Sequence, residues 1–268
     1  MNDALFVDGA MAGKTIFVAG GSSGINLGIA QRFAALGANV ALISRSEERV
    51  AAAAATMDSA LGMAADVRDY DAVAAALARA AERFGPLDVV VSGAAGNFLA
   101  PVLGMSANAF RTVVEIDLIG TFNVFRACYE HLKRPGASLI AITAAQARRA
   151  MMFQAHACAA KAGVDLLTQT LAMEWGPAGV RVNAISPGPI GDTEGMARLA
   201  PTPEATARLK NRIPLRDYGT KRDIADMAVF LSSDAARNVT GAIVDCDGGS
   251  ILGDASADAL TVGPREPA

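Results

Sequence analysis

The sequence has little of what metal sites and disulfide frameworks require. Its 268 residues include only two histidines and three cysteines, and no HxxxH or CxxC spacing occurs. Metal-binding side chains usually stand close together in such motifs, whereas disulfide-rich secreted domains carry an even number of cysteines. We therefore expect no metal site, and the isolated Cys128, Cys158 and Cys246 are typical of small buried residues in a reducing compartment.

Long apolar runs and an excess of one charge are also missing. No stretch approaches the roughly 18 apolar residues that a membrane span needs, and residues 1–11 have neither the basic flank nor the apolar core of a signal peptide. The formal net charge is −3 with acids and bases interspersed, which gives no electrostatic reason to expect nucleic acid. We expect a soluble cytoplasmic protein that binds neither membranes nor nucleic acids.

What the sequence does contain is a regular alternation of short apolar runs and alanine-rich helical stretches. Continuous apolar strands alternating with helices are typical of a parallel sheet covered on both faces. The pattern predicts one doubly wound α/β Rossmann domain over residues 1–268, with about seven parallel strands and with mobile ends at residues 1–11 and 255–268. We expect the strands at residues 15–20, 39–44, 62–66, 89–94, 138–143, 181–186 and 242–248.

A glycine-rich loop follows the first strand and opens directly into a helix. Glycines in this position let the backbone turn sharply and approach a pyrophosphate, whose charge is stabilised by free N–H groups at the helix start. The strand before the loop and the helix after it favour a dinucleotide site over a tight turn that binds nothing. The predicted pyrophosphate-binding residues are Gly20, Ser22, Ser23, Gly24, Ile25 and Asn26.

The second strand ends in Ser44 and Arg45, where a site that prefers NAD would present an acid to the ribose hydroxyls. A hydroxyl and a cation suit a 2′-phosphate, so the sequence predicts NADP(H) as the cofactor; the alternative is that Arg45 is a solvated loop residue. Asp66, followed by Val67 after the third strand, is expected to accept a hydrogen bond from the adenine amino group. The small residues expected to lie against the adenosine ribose are Ala94, Ala95 and Gly96.

Several motifs, in this order and spacing, resemble the short-chain dehydrogenase/reductase pattern over nearly the whole chain. They are Gly20 and Gly24, the Gly-Ala-Ala-Gly run at 93–96, Lys161, the Arg-Val-Asn run at 181–183, and Pro187 with Gly188. Asn26 stands in place of the usual third glycine, which we attribute to the tolerance of asparagine for left-handed backbone. The usual catalytic serine and tyrosine are missing, because the fifth strand is followed by Thr-Ala-Ala at 143–145 and Ala157 stands one helical turn before Lys161.

The departures resemble one subgroup, the 2,4-dienoyl-CoA reductases, and the peroxisomal type in particular. This resemblance implies NADPH-dependent reduction of a 2,4-dienoyl thioester to a 3-enoyl thioester, with CoA as the expected carrier. The chain ends Glu266-Pro267-Ala268 and lacks a peroxisomal tripeptide, so we expect a cytosolic homologue. The matching segments are residues 94–99, 116–117, 120–124, 156–162, 174–177 and 187–195.

The missing tyrosine agrees with this chemistry. Ketone reduction places negative charge on an oxygen that must be protonated at once, whereas reduction of a dienoyl thioester delivers the proton to carbon, most simply from a positioned water. In the subgroup that water is thought to be held by two carboxylates, which match Asp117 and Asp247. The alternatives are that Asp117 caps buried backbone and that Asp247 forms a turn. Lys161 is expected to hold the nicotinamide ribose and to stabilise the developing oxyanion.

The resemblance also implies contacts and an assembly. The residues implied beside the nicotinamide are Pro187, Gly188, Ile190 and Thr193, and those implied for substrate are Phe98, Ser106, Asn108 and Arg198. A homotetramer is implied, and the apolar helix faces of residues 107–132 and 155–175 would permit it.

Two other functions stay open. One is a reductase of another carbonyl or enoyl thioester; enoyl reductases of this superfamily usually carry a tyrosine seven residues before the lysine, where this chain has Gln154. The other is a non-catalytic NADP-binding regulatory protein, which the loss of serine and tyrosine would also permit. Retention of Lys161, Asp117 and Asp247 favours an enzyme.

Overall fold

Parallel strands form one seven-stranded sheet in the part of the chain that the computed structural model describes, residues 6–193, 196 and 199–257. The spatial order is β3-β2-β1-β4-β5-β6-β7, so the chain reverses direction along the sheet between β1 and β4. The strands are β1 (Thr15–Ala19), β2 (Asn39–Ser44), β3 (Ala60–Ala64), β4 (Val89–Ser92), β5 (Ser138–Ile142), β6 (Arg181–Pro187) and β7 (Ile243–Cys246).

Helices connect these strands and cover both faces of the sheet, which confirms the predicted doubly wound α/β fold. They are α1 (Gly24–Ala35), α2 (Glu47–Ala54), α3 (Tyr70–Phe84), α4 (Ala107–Val114), α5 (Gly120–Cys128), α6 (Ala155–Trp175), α7 (Pro203–Arg212) and α8 (Lys221–Leu231). A π-helical stretch, Glu115–Ile119, joins α4 to α5 without a break. Among the described helices, none is both long enough and apolar enough to cross a bilayer.

Two apolar clusters lie on opposite faces of the sheet because successive strand residues point to opposite sides. Phe17 of β1 packs on one face, among residues of α3, α5 and α6 that include Leu77 and Phe125. Its neighbour Val18 packs on the other face, among residues of α1 and α8 that include Phe33. This two-sided burial explains why the strands read as continuous apolar runs.

The third strand differs from the prediction. The sequence predicts it at residues 62–66, but β3 begins at Ala60, which pairs with Val40, and ends at Ala64, which pairs with Ser44. Since β3 is an edge strand and is only partly buried, its apolar pattern does not mark where pairing starts. The register with β2 decides its ends instead.

The segment that precedes β1 also packs more tightly than the sequence suggests. Met11 lies within the terminal stretch expected to be mobile, yet it is 2% exposed and its N–H donates to the Leu36 carbonyl at 2.9 Å. At the other end, the Ala255 N–H donates to the Arg212 carbonyl at 3.0 Å. Residues 1–5 and 258–268 of the expected mobile ends lie outside the described residues.

Candidate active site

A cleft of about 1490 Å³ opens at the carboxyl ends of the strands, where the direction of winding reverses. Open α/β sheets bind ligands at this position because the loops after neighbouring strands diverge there. The predicted residues that line the cleft are Gly20, Ser22, Ser23, Gly24, Ile25, Asn26, Ser44, Arg45, Asp66, Val67, Ala94, Ala95, Asp117, Lys161, Pro187, Gly188 and Thr193.

The glycine loop after β1 forms the cradle that the sequence predicts. Gly20 has a φ of 79°, and a Cβ there would lie 2.8 Å from the backbone of Ala94. Gly24 has a φ of 60° and faces open space. Ser23 precedes α1 in extended conformation and gives the helix no side-chain cap, so the first N–H groups of α1 remain available to an anion. The cradle therefore fits a pyrophosphate.

Asn26 ties this loop to the next strand, and the reason that the sequence suggested for it is wrong. It lies inside α1 and is not among the residues with positive φ. Its side-chain amide donates to the Gly93 carbonyl at 2.7 Å and, more weakly, to the Gly20 carbonyl at 3.4 Å. A side chain on Gly93 would overlap that amide. Asn26 thus replaces glycine because its amide bridges two loops.

The adenosine end of the cleft carries two arginines. Arg45 makes no ion pair within 4 Å in the described part of the chain, so its charge is available to a ligand. Arg49, one helical turn further along, lines the same end and was missed from the sequence. The signal in the sequence was Ser46, a typical N-cap residue, whose hydroxyl accepts from the Arg49 N–H and so places Arg49 in the first turn of α2.

Asp66 is less available than the sequence suggests. The Arg68 guanidinium donates to both of its carboxylate oxygens, with Nη2 at 2.6 Å from Oδ2 and Nε at 3.1 Å from each oxygen. These hydrogen bonds from Arg68 hold the pKa of Asp66 below its usual value, which keeps the carboxylate ionised. Val67 beside it is buried and its carbonyl accepts from Asn123 at 2.9 Å.

Lys161 and Asp117 meet at the centre of the cleft. The Lys161 ammonium lies 3.3 Å from Asp117 Oδ2 and donates to the Ile142 carbonyl at 2.9 Å. Asp117 Oδ1 accepts from the Gly96 N–H at 2.8 Å. Both side chains are buried, with Lys161 8% and Asp117 1% exposed. Asp117 stands in the π-helical stretch, a local geometry that often occurs at functional sites.

No side-chain hydroxyl stands in the usual proton-donor position. Ala157 lies one turn before Lys161 and lines the cleft, as does Ala144 after β5. The three tyrosines lie elsewhere: Tyr70 opens α3, Tyr129 packs on Trp175, and the Tyr218 hydroxyl donates to the Thr206 carbonyl at 3.5 Å. The lysine therefore has no phenol to act on.

Asp247 lies behind Gly188, where a Cβ would come within 2.5 Å of the Asp247 Cα. Its carboxylate accepts from the Gly249 N–H at 2.8 Å, the Ile251 N–H at 2.7 Å and the Ser250 hydroxyl at 3.1 Å. None of the described contacts joins it to Asp117 or Lys161. These contacts are those expected if Asp247 forms a turn. That Asp117 and Asp247 hold one water between them stays a prediction.

The segment after β6 contains the residues expected beside the nicotinamide. Pro187 and Gly188 line the cleft, while Ile190 is buried, with 2% exposed. The Thr193 hydroxyl donates to the Ile190 carbonyl at 2.8 Å and accepts from the Met196 N–H at 3.4 Å. It therefore shapes the turn in addition to facing the cleft.

The predicted substrate residues fall mostly outside this cleft. Phe98 is 40% exposed and packs edge-on against His156, with ring centroids 4.3 Å apart. Ser106 caps α4 by accepting from the Ala109 N–H at 3.1 Å, and the Asn108 carbonyl accepts from the Thr112 hydroxyl at 2.9 Å. Arg198 lies outside the described residues.

The remaining wall of the cleft is lined by residues that are not among the predicted site residues. They come from the loop after β5, from the region of α7 and from the last turn, and they are Gln146, Arg149, Met151, Met152, Met196, Leu199, Leu209, Arg212, Ile213 and Ser250. Gln154, which stands where enoyl reductases carry a tyrosine, also lines this wall, and its side-chain carbonyl oxygen accepts from the Asn97 amide at 2.8 Å and the Gln146 amide at 3.0 Å.

Comparisons with known proteins show the family to which the chain belongs. The family model described as Enoyl-(Acyl carrier protein) reductase matches residues 19–250. The peroxisomal 2,4-dienoyl-CoA reductase ((3E)-enoyl-CoA-producing) of Rattus norvegicus is 43% identical over 253 residues, which span 92% of this chain and 86% of that protein. The probable 2,4-dienoyl-CoA reductase ((2E)-enoyl-CoA-producing) of Bacillus subtilis is 38% identical over 90% of this chain and 98% of that protein.

A solved structure extends the agreement to the fold. The crystal structure of a short chain dehydrogenase from Bacillus anthracis is 35% identical, covers 90% of this chain and 97% of that chain, and gives a TM-score of 0.80. The chain therefore belongs to the short-chain dehydrogenase/reductase family and is an oxidoreductase. Within that family it is similar to the 2,4-dienoyl-CoA reductases, as its motifs predicted.

Proposed function

We propose that this chain is an NADPH-dependent reductase that converts a 2,4-dienoyl-CoA into a 3-enoyl-CoA. The observation that carries the proposal is the buried Lys161–Asp117 pair in a cleft where Ala144 and Ala157 replace the usual hydroxyl donors. An enzyme without a phenol beside its lysine suits a substrate whose proton goes to carbon. The similarity to dienoyl-CoA reductases across 92% of the chain supports the same substrate class.

The cradle after β1, the uncapped start of α1 and Arg45, which makes no ion pair with another described residue, fit NADPH. Arg45 and Arg49 are the side chains that would hold its 2′-phosphate. When bound, NADPH supplies the hydride that ends on C5 of the dienoyl group. Lys161 would hold the nicotinamide ribose, and its position is fixed by the Ile142 carbonyl.

The lysine also contributes electrostatically. Reduction at C5 spreads negative charge over the conjugated system to the thioester oxygen, and a buried ammonium nearby lowers the free energy of that charge. Asp117 keeps the ammonium in place and balances its charge before substrate enters. The amide N–H of Gly96 holds Asp117 from the other side.

The proton completes the reaction at C2, which leaves the remaining double bond between C3 and C4. We assign its delivery to a water held by Asp117 and Asp247. For Asp247 to take part, its carboxylate must share its turn contacts to Gly249 and Ile251 with that water. Protonation at C4 would instead give the 2-enoyl product, which is the product in the name of the Bacillus subtilis relative.

One alternative function has specific support. The matching family model is described as an enoyl-(acyl carrier protein) reductase, so a simple 2-enoyl thioester is the competing substrate. Gln154 at the position seven before Lys161 argues against it, because an amide supplies no proton. The expected cytoplasmic location stays a prediction, since the rat relative is peroxisomal by name.

The proposed reaction is tested by NADPH oxidation, followed at 340 nm, with a 2,4-decadienoyl-CoA. We expect turnover with this substrate and at least tenfold lower kcat/KM with 2-decenoyl-CoA or a 3-oxoacyl-CoA, a ratio equivalent to about 1.4 kcal/mol. Chromatography of the product identifies the 3-enoyl or the 2-enoyl isomer. Equal rates with the simple enoyl thioester would favour the alternative function.

The proton assignment predicts the behaviour of two isosteric variants. Asp117→Asn and Asp247→Asn should each lower kcat by about 100-fold, the usual scale for lost acid–base catalysis, and leave NADPH affinity within a few-fold. The double variant should be scarcely slower than either single one, because both groups act through one water. Melting temperatures control for loss of the Asp247 turn. Near-normal kcat in both single variants would contradict the assignment.

The cofactor assignment predicts an effect confined to NADPH. Arg45→Ala should raise the KM for NADPH by about tenfold or more and change the KM for NADH little, since only NADPH carries the 2′-phosphate. Arg79→Ala, an exposed arginine on α3, is the control for losing one positive charge. An equal rise for both cofactors would show that Arg45 does not read the phosphate.

A homotetramer is the assembly that we propose. Large apolar side chains remain exposed on the outer faces of the π-helical stretch, α5 and α6, among them Ile119 (44%), Phe122 (44%), Leu166 (65%) and Met173 (82%). Apolar patches of this kind commonly mark subunit interfaces. Multi-angle light scattering should therefore give four times the 27.4 kDa chain mass, and Leu166→Glu should shift the protein toward smaller species. A particle of one chain mass at micromolar concentration would exclude the tetramer.

A further inference from the structure

Helix α6 holds the end of β5 at two consecutive residues. Lys161 donates to the Ile142 carbonyl at 2.9 Å, and Asp165, one turn later, accepts from the Thr143 hydroxyl at 2.5 Å. Both α6 side chains are buried, each with 8% exposed. Since residues four apart lie on the same helix face, one face of α6 fixes both the backbone and the side chain where β5 ends.

Asp165 also reaches the loop that follows β5. The Arg148 Nε lies 3.6 Å from Asp165 Oδ2, and the Arg148 Nη1 donates to Asp245 of β7 at 2.9 Å. Arg148 therefore joins α6 to the edge strand and holds the loop between them. Asp165 Oδ2 has no hydrogen-bond donor among the described residues, so the Arg148 charge is its principal compensation.

The loop that Arg148 holds, residues 144–154, forms the substrate-side wall of the cleft. Gln146, Arg149 and Gln154 line it together with Met151 and Met152. Arg149 donates to the Ser250 carbonyl at 3.0 Å and so ties this loop to the turn after β7. This loop therefore lines the cleft in which we propose that the thioester binds.

The loop conformation is not one that its own sequence would favour. Phe153 has a φ of 66°, a left-handed conformation that a bulky side chain rarely adopts. Its carbonyl accepts from the Ala100 N–H at 2.9 Å. Strain of this kind persists only where surrounding contacts hold the backbone in place. The contacts of Arg148 and Thr143 are candidates for that restraint.

We propose that Asp165 is a positioning residue for substrate binding: through Thr143 and Arg148 it holds loop 144–154 in the shape that receives the acyl thioester. Asp165 is buried and is not among the residues that line the cleft, so it acts through Thr143 and Arg148. The proposal rests on the proposed function for the identity of the substrate, and the restraint of the loop can be measured without substrate.

The protonation state of Asp165 provides a readout that a purely structural role would not move. Burial raises the pKa of Asp165 above its ordinary value, although the Thr143 hydroxyl and the charges of Arg148 and Lys161 oppose the effect and Asp245 adds to it. As pH falls through this raised pKa, the carboxylate becomes neutral and its attraction for Arg148 is lost. Binding of substrate should therefore weaken on acidification at a higher pH than an ordinary aspartate would cause.

The experiment compares Asp165→Asn with Asp226→Asn, which removes the acid of another partly buried ion pair, Arg32–Asp226, in contacts between α1 and α8. Hydrogen exchange measured without substrate should be about tenfold faster across residues 144–153 in Asp165→Asn and unchanged there in Asp226→Asn. The KM for dienoyl-CoA should rise about tenfold in Asp165→Asn while NADPH affinity stays within twofold. In the wild type the KM should rise as pH falls and Asp165 becomes protonated, and this rise should be absent in Asp165→Asn.

Two substitutions at Thr143 keep the proposal falsifiable if Asp165→Asn folds poorly. Thr143→Ser keeps the hydroxyl and should behave as the wild type, whereas Thr143→Val removes it at similar volume and should raise the KM and the exchange of the loop. Wild-type exchange in residues 144–153 of both Asp165→Asn and Thr143→Val would overturn the proposal. If the wild type does not reduce dienoyl-CoA, the proposed function fails, and the exchange result still decides the role of Asp165.

Discussion

The ion pair between Lys161 and Asp117 is the interaction on which the rest of the site depends. Removing two charges from water costs several kcal/mol for each ion, and their mutual attraction repays this only when further polar groups complete the arrangement. Here the Ile142 carbonyl accepts from the ammonium and the Gly96 N–H donates to the carboxylate. The pair therefore joins α6, β5, the π-helical stretch and the loop after β4 in one place.

This ion pair determines which chemical groups are available at the centre of the cleft. Lys161 is paired to a carboxylate, and alanine stands at position 157, where the usual tyrosine would protonate an alkoxide. A ketone would gain little from such a site. A conjugated thioester places its charge on an oxygen that needs only stabilisation, and its proton goes to a carbon that water can reach. A site without the usual tyrosine therefore favours a conjugated thioester over a ketone as substrate.

The sequence was a good guide wherever a residue acts through its own backbone or through its immediate neighbours. The glycine loop after β1, Arg45 after β2 and the helical spacing of Ala157 and Lys161 all depend on short-range geometry, and the structure brings them to one cleft. The third strand was placed two residues late because an edge strand is set by pairing with β2. The presence of Asn26 in place of a glycine was attributed to left-handed backbone, whereas its side-chain amide donates to the Gly93 carbonyl, 67 residues away.

Residues that act through distant partners could not be found in this way. Arg148 is one of two adjacent arginines in the sequence, yet its function depends on Asp245, 97 residues away. Asp165 looks like an ordinary polar position of α6 until its contact with Thr143 is seen. Asp66 is a different case, because its partner Arg68 is only two residues away, and the prediction for Asp66 left this local cation out. Long-range pairing of charges leaves no periodic signal, so it requires coordinates.

Because any side chain at position 93 would overlap Asn26, the residue at position 93 limits which residue can stand at position 26, and the reverse. A Cβ on Gly93 would overlap the end of the Asn26 side chain, so alanine at 93 would force the amide to move away from its hydrogen bond to the Gly93 carbonyl. The bridge made by Asn26 therefore depends on glycine at 93. Related sequences should accordingly show these positions varying together.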